Sequence, residues 1–133
     1  MKTLLKLNLV LIAVLVISCE SKEKEVEKLK SETIAVHDEV MPKMDDIMKL
    51  KKSLREKKDS ISTEGNQTIE ELISSLEESD NAMMNWMRNY DPQMKDMSED
   101  EKIDYLNDQK SSIEKVSKQM KNSISEAERY LNQ

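Results

Sequence analysis

Ser98-Glu99-Asp100-Glu101-Lys102-Ile103-Asp104-Tyr105-Leu106 is the stretch that decides the fold class. A serine with glutamate three positions later is a capping box, in which the hydroxyl and the carboxylate each satisfy a backbone N–H that the first helical turn leaves without a partner. Beyond it, Ile103, Leu106, Ile113, Val116, Met120, Ile124, Ala127 and Leu131 follow the threes and fours of one helix face. A helix is predicted over about residues 99–131. Lys110 also falls on this seam, so its replacement by aspartate should cost more than an exposed lysine would suggest.

Working outward, Asp91-Pro92 ends the preceding apolar stripe of Ile69, Leu72, Ile73, Leu76, Met83, Met87 and Tyr90. Gly65-Asn66 breaks the chain before that stripe, and Thr68-Ile69-Glu70-Glu71 reads as a second capping box, so a helix is expected over about 68–90. Earlier still, Val26, Leu29, Thr33, Val36, Val40, Met44, Ile47 and Leu54 form one stripe and Ile34, His37, Met41, Met44 and Met48 a second. Two stripes imply two neighbours for a first helix over about 21–58. Pro42 has no N–H for the carbonyl of Asp38, so a kink or break is expected there. The fold class is all-α, an antiparallel three-helix bundle or long helical hairpin of coiled-coil type.

Composition agrees and excludes alternatives. The 133 residues include one Gly, no Phe and 36% charged side chains. With so little glycine there is no phosphate-cradling loop and little means of making tight hairpins, which argues against a nucleotide-binding α/β fold or a β-sandwich.

The first eighteen residues differ from the rest. Lys2 and Lys6 precede an unbroken apolar run from Leu9 to Ile17. Such a run is short of the ~20 residues needed to span a bilayer, and the layout is that of a cleaved secretory signal helix. Val16-Ile17-Ser18-Cys19 resembles the lipobox of bacterial lipoproteins, which implies that Cys19 becomes the first mature residue and carries diacylglycerol and an N-linked acyl chain such as palmitate. Residues 1–18 are then a signal peptide, 19–25 a lipid anchor with a charged tether, and 26–133 a single helical domain. Losing Lys2 and Lys6 shifts the net charge from −6 to −8. An acidic body does not suit nucleic acid, whose phosphates require Lys and Arg. The one basic cluster, Lys49, Lys51, Lys52, Arg55, Lys57 and Lys58, falls where cations oppose a helix dipole, with an anionic partner as the alternative. The expected address is the bacterial cell envelope. Glu20, rather than aspartate, behind the cysteine leans toward the outer membrane, facing the periplasm or the surface.

Two segments carry a further resemblance. His37-Asp38-Glu39-Val40-Met41-Pro42-Lys43-Met44 with Ile47-Met48-Lys49-Leu50-Lys51-Lys52, and then Met83-Met84-Asn85-Trp86-Met87-Arg88-Asn89-Tyr90, resemble small bacterial lipoproteins labelled "viral A-type inclusion protein". The resemblance covers about residues 19–92. It implies a coiled-coil lipoprotein and no particular activity.

Few residues offer chemistry. His37 is the only histidine and Cys19, expected to be acylated, the only cysteine, so nucleophilic catalysis lacks its parts. Carboxylate pairs such as Asp45-Asp46 and Glu77-Glu78 read as solvated faces. No enzyme is expected. Eight methionines lie between Met41 and Met97. If the first two helices turn near residue 62 or 63, His37 falls opposite Arg88 and Met41 opposite Met84, while the 91–98 loop brings Met94 and Met97 to the same end. The leading reading is helix-mediated binding to an envelope protein or to a second copy, with Trp86, Met84 and Tyr90 as candidate partner surface. The alternative is a copper(I) site of His37, Met41, Met83 and Met87, because thioethers and imidazole favour soft metals. Methionine as flexible core filler is the plainer option.

Overall fold

The computed structural model describes residues 2–60 and 66–133, with side chains described from Ser21 onward. Four helices follow in order: α1 (Lys2–Val40), α2 (Lys43–Ser60), α3 (Asn66–Asn89) and α4 (Glu99–Leu131). Among the described residues there is no strand, and the protein is all-α.

The expected first helix is divided in two at Pro42. The N–H of Met41 still reaches the carbonyl of His37 at 2.8 Å, closing α1. Proline has no N–H to continue the ladder, and α2 restarts with Met44 N–H to Met41 O at 3.2 Å and Asp45 N–H to Pro42 O at 3.3 Å. Asp45 and Asp46 stand in the new first turn, where negative charge favourably meets the helix dipole. Asparagine 66 opens α3 two residues ahead of Thr68, so the capping box expected at Thr68 is not used, and that threonine lies inside the helix. At α4 the expected box is complete. The Ser98 hydroxyl accepts from the Glu101 N–H, and Glu101 accepts from the Ser98 N–H at 2.7 Å. The bond from the Ser98 N–H, and after it one donated by the Ser98 hydroxyl at 2.7 Å, hold the Glu101 carboxyl below its ordinary range.

The larger core joins α1 through Val40, α2 through Ile47 and Leu54, α3 through Ile69, Leu76 and Met83, and α4 through Ile113, Met120 and Ala127. A smaller cluster joins Val26 and Leu29 of α1 to Leu106 of α4 and to Met94 in the α3–α4 connection. Met94 and Met97 thus pack with the early part of α1, not beside Met41 and Met84 as expected. Met94 holds a left-handed backbone with φ 45°. For a residue with a Cβ that conformation costs about 1–2 kcal/mol, which burial of its side chain offsets.

Ion pairs link the helices outside the core. Lys22, Glu32 and Glu39 of α1 meet Asp100, Lys110 and Lys121 of α4 in the same order along both helices. On α2, Lys51 and Arg55 reach Glu77 of α3 while the later Lys58 reaches the earlier Glu70. Between α3 and α4 the contact includes two buried serines, Ser79 and Ser123, whose hydroxyl oxygens lie 2.9 Å apart. Each also lies within bonding distance of a carbonyl on its own helix, that of Leu76 or Met120. A hydroxyl has one proton, so one serine donates across the interface and the other back to its own helix.

Candidate functional site

Near the break at Pro42 lie some of the residues that the sequence marks for function, divided between the core and an open groove. His37 lies in the last turn of α1, and its ring stacks on Trp86 of α3 at 5.6 Å between centroids and 29° between planes. Trp86 stacks in turn on Tyr90 at 4.8 Å, and Tyr90 faces Tyr105 of α4 at 6.3 Å. Four rings therefore run from α1 across α3 to α4. Aromatic pairs at such distances add to the stabilisation from burial alone. Tyr105 holds the end of α3 in place, its hydroxyl oxygen accepting from the Asp91 N–H at 2.7 Å. Burial, followed by the neighbouring Tyr105 and Asp91, pushes the Tyr90 hydroxyl above its usual pKa.

Trp86, a candidate for the partner surface, is 7% exposed and belongs to the core. Among the described residues, its indole N–H and the Tyr90 hydroxyl are buried without a hydrogen-bond partner. Of the three surface candidates, Met84 is the one that lines an open groove.

The four candidate copper ligands do not line one pocket. Met83 is fully buried and Met87 packs against the same core, whereas Met41 lines the groove with Met84. His37 Nδ1 lies 2.9 Å from the neighbouring Asp38 carboxylate. Among the described residues no group of three or more His, Cys, Asp or Glu side chains is placed to hold a metal ion. The thioethers that do gather are Met41, Met44, Met48 and Met84, around a groove of about 620 Å³ beside the helix break.

Each cation of the basic cluster has a partner. Lys51 and Arg55 share Glu77, Lys58 pairs with Glu70, Lys49 with Asp46 and Lys52 with Glu56. Lys57 donates to the Tyr130 carbonyl at 3.2 Å, with its ammonium 4.8 Å from the Tyr130 ring centre. That contact places a cation at the C-terminal end of α4, where the dipole favours it.

Three glutamates in ion pairs between helices are unsuited to act as general acids. A general acid near neutral pH needs a raised carboxyl pKa. Glu32, Glu39 and Glu70 are instead held below the usual range, chiefly by hydrogen bonds from Lys110, Lys121 and Lys58. Cys19, the expected lipidation site, lies outside the described side chains. Among the described residues no helix is long and apolar enough to cross a membrane.

Sequence reasoning missed the stack of His37 on Trp86 and the serine pair. The first has a signal in hindsight. His37 and Trp86 lie near the C-terminal ends of α1 and α3, and only the half-turn offset from the expected Arg88 separates the two readings. Set against family models, curated proteins and solved structures, the chain matches none of them.

Proposed function

We propose that this is a lipid-anchored helical protein of the bacterial envelope that acts through contacts of its helices and carries no catalysis. One observation carries the anchor: the basic start and nine-residue apolar run end in Val16-Ile17-Ser18-Cys19, followed at once by charged residues. Several acyl chains, each buried CH₂ contributing ~0.8 kcal/mol, hold a protein on a membrane with no spanning segment. The resemblance to small coiled-coil lipoproteins supports the same address.

The helices are read as an antiparallel bundle, with α1 and α2 up, α3 down and α4 up. The order of the ion pairs supports this course, since partners advance together between α1 and α4 and oppositely between α2 and α3. A contact role suits a body whose helices are tied to one another by ion pairs such as Lys110 with Glu32 and Lys121 with Glu39.

Labelling cells with a fatty-acid analogue tests the anchor. The wild-type protein should take up label and sediment with membranes, and Cys19→Ala should do neither and should accumulate as uncleaved or missorted precursor. A wild-type protein that takes up no label would overturn the proposal.

A further inference from the structure

The groove beside Pro42 differs from the rest of the surface in three ways. Its long apolar walls are all methionine, from Met41, Met44 and Met48 on one side to Met84 of α3 on the other. The buried core relies mainly on Leu, Ile and Val, with Met83, Met94 and Met120 as its only methionines among the described residues. Met41 and Met48, 39% and 62% exposed, are the exposed large hydrophobics among the described residues, and both line this groove. The exposed methionine surface is thus gathered at this groove, while other methionines serve the core.

The third difference is charge. The ionisable residues lining the groove are Asp45 and Asp80, and neither is in an ion pair among the described residues. A second groove between α2 and α3, of about 500 Å³, shows the contrast: its Arg55 and Lys58 pair with Glu77 and Glu70, which leaves Asp59 as its one carboxylate outside an ion pair among the described residues, and its lining holds no methionine. The methionine groove therefore presents apolar, adaptable walls with two carboxylates that no cation side chain pairs among the described residues. Flexible thioether side chains repack around varied apolar shapes, and a volume within ~300–1,000 Å³ suits the burial of several atoms of a guest.

We propose that this groove is the docking site for a basic amphipathic helix of a partner protein. Its long apolar side chains sit among the four thioethers, and its Lys or Arg residues lie over Asp45 and Asp80. The inference rests on the helix-contact part of the proposed function and is independent of the lipid anchor. Charge complementarity selects the partner: an acidic or neutral helix of the same apolar pattern leaves both aspartates desolvated without a cation, which costs affinity.

The test uses the full chain in nanodiscs of zwitterionic phosphatidylcholine, with its methionine methyl groups labelled for NMR. The probe is a model amphipathic helix of leucine and lysine. Saturable shifts are expected at Met41, Met44, Met48 and Met84, with Met94 and Met120 unmoved. Asp45→Lys with Asp80→Lys should weaken binding at least about tenfold, and so, separately, should Met48→Ser, whose exposure makes it safe for folding. A helix of leucine and glutamate should not bind. Equal affinity for the glutamate helix, shifts spread over all methionines, or a response of the four to silver ion with none to the lysine helix would each overturn the inference. The last outcome would assign the groove to a soft metal instead. Fatty-acid label on the same preparation reports the anchor separately. A labelled chain that crosslinks to an envelope protein through another face, with its groove silent, overturns the groove and keeps the proposed function.

Discussion

At the residue scale, the side chains that matter most for stability are those whose chemistry disguises their position. Trp86 lies between His37 and Tyr90, and Trp86→Ala should destabilise the fold by about 3–5 kcal/mol, the range for large aromatic truncations. Chemical denaturation followed by circular dichroism checks this, with Met48→Leu as a nearly silent control because volume and apolarity are kept. A silent Trp86→Ala would return the ring to the surface role first considered for it. Ser79 and Ser123 were not legible as core, because serine in a charged helix reads as solvent-facing. Their burial depends on a partner serine that is distant in sequence and has no periodic signature. Each single alanine variant should cost roughly 1 kcal/mol. The double variant should cost less than the sum, since removing both hydroxyls leaves no unpaired polar atom at the interface. Met94→Ala should cost about 2–5 kcal/mol, because it discards the burial and leaves the left-handed backbone in place.

At the scale of the element, caps and charges were the readable part. Pro42 acts through its missing N–H and the Ser98 box through hydrogen bonds within one turn, and both work as expected. Thr68 did not, because helix α3 begins at Asn66 and a threonine-glutamate spacing inside a helix looks the same in sequence as one at its start. Ser98→Ala should cost about 1 kcal/mol of stability, read from the urea midpoint. The clasp between α1 and α4 predicts a pH dependence. Glu32 and Glu39 are held below their ordinary range by Lys110 and Lys121, so the folded chain takes up protons at these sites less readily than the unfolded chain. This stabilisation is fully present above the usual glutamate pKa of about 4.3 and is lost as pH falls through the depressed folded values. Lys110 is raised by Glu32, so its share is present below the ordinary lysine pKa and lost as pH rises through the folded one. The urea midpoint should drop on acidification below about pH 4.3, and Glu32→Gln with Glu39→Gln should flatten that acid limb. An unchanged limb in the double variant would assign the loss to other carboxylates.

For the whole molecule, the core was legible as stripes, and the seam residues Ile47, Leu54, Ile69, Leu76, Leu106, Ile113 and Met120 are fully buried. Ile113→Asp should therefore unfold much of the body, as loss of helical circular dichroism, because it leaves an unpaired charge in the core. The candidate site was legible in part. Met41 does meet Met84, since both positions follow from folding two helices back on one another, while the separation of Met83 from Met84 into core and groove depends on rotation about the helix axis. The proposed anchor belongs to this scale too, and so does the unbroken course of α1. From Ser21 to Val40 there is no turn, and at 1.5 Å per residue that stretch is about 29 Å long. With lipid on Cys19 it becomes a measuring rod. Under the proposed anchor one end would be set by the bilayer and the other by Pro42, so a partner reaching the methionine groove would do so at a fixed height above the membrane. Inserting one helical turn into α1 would raise that height by about 5.4 Å and slide Lys22 out of register with Asp100.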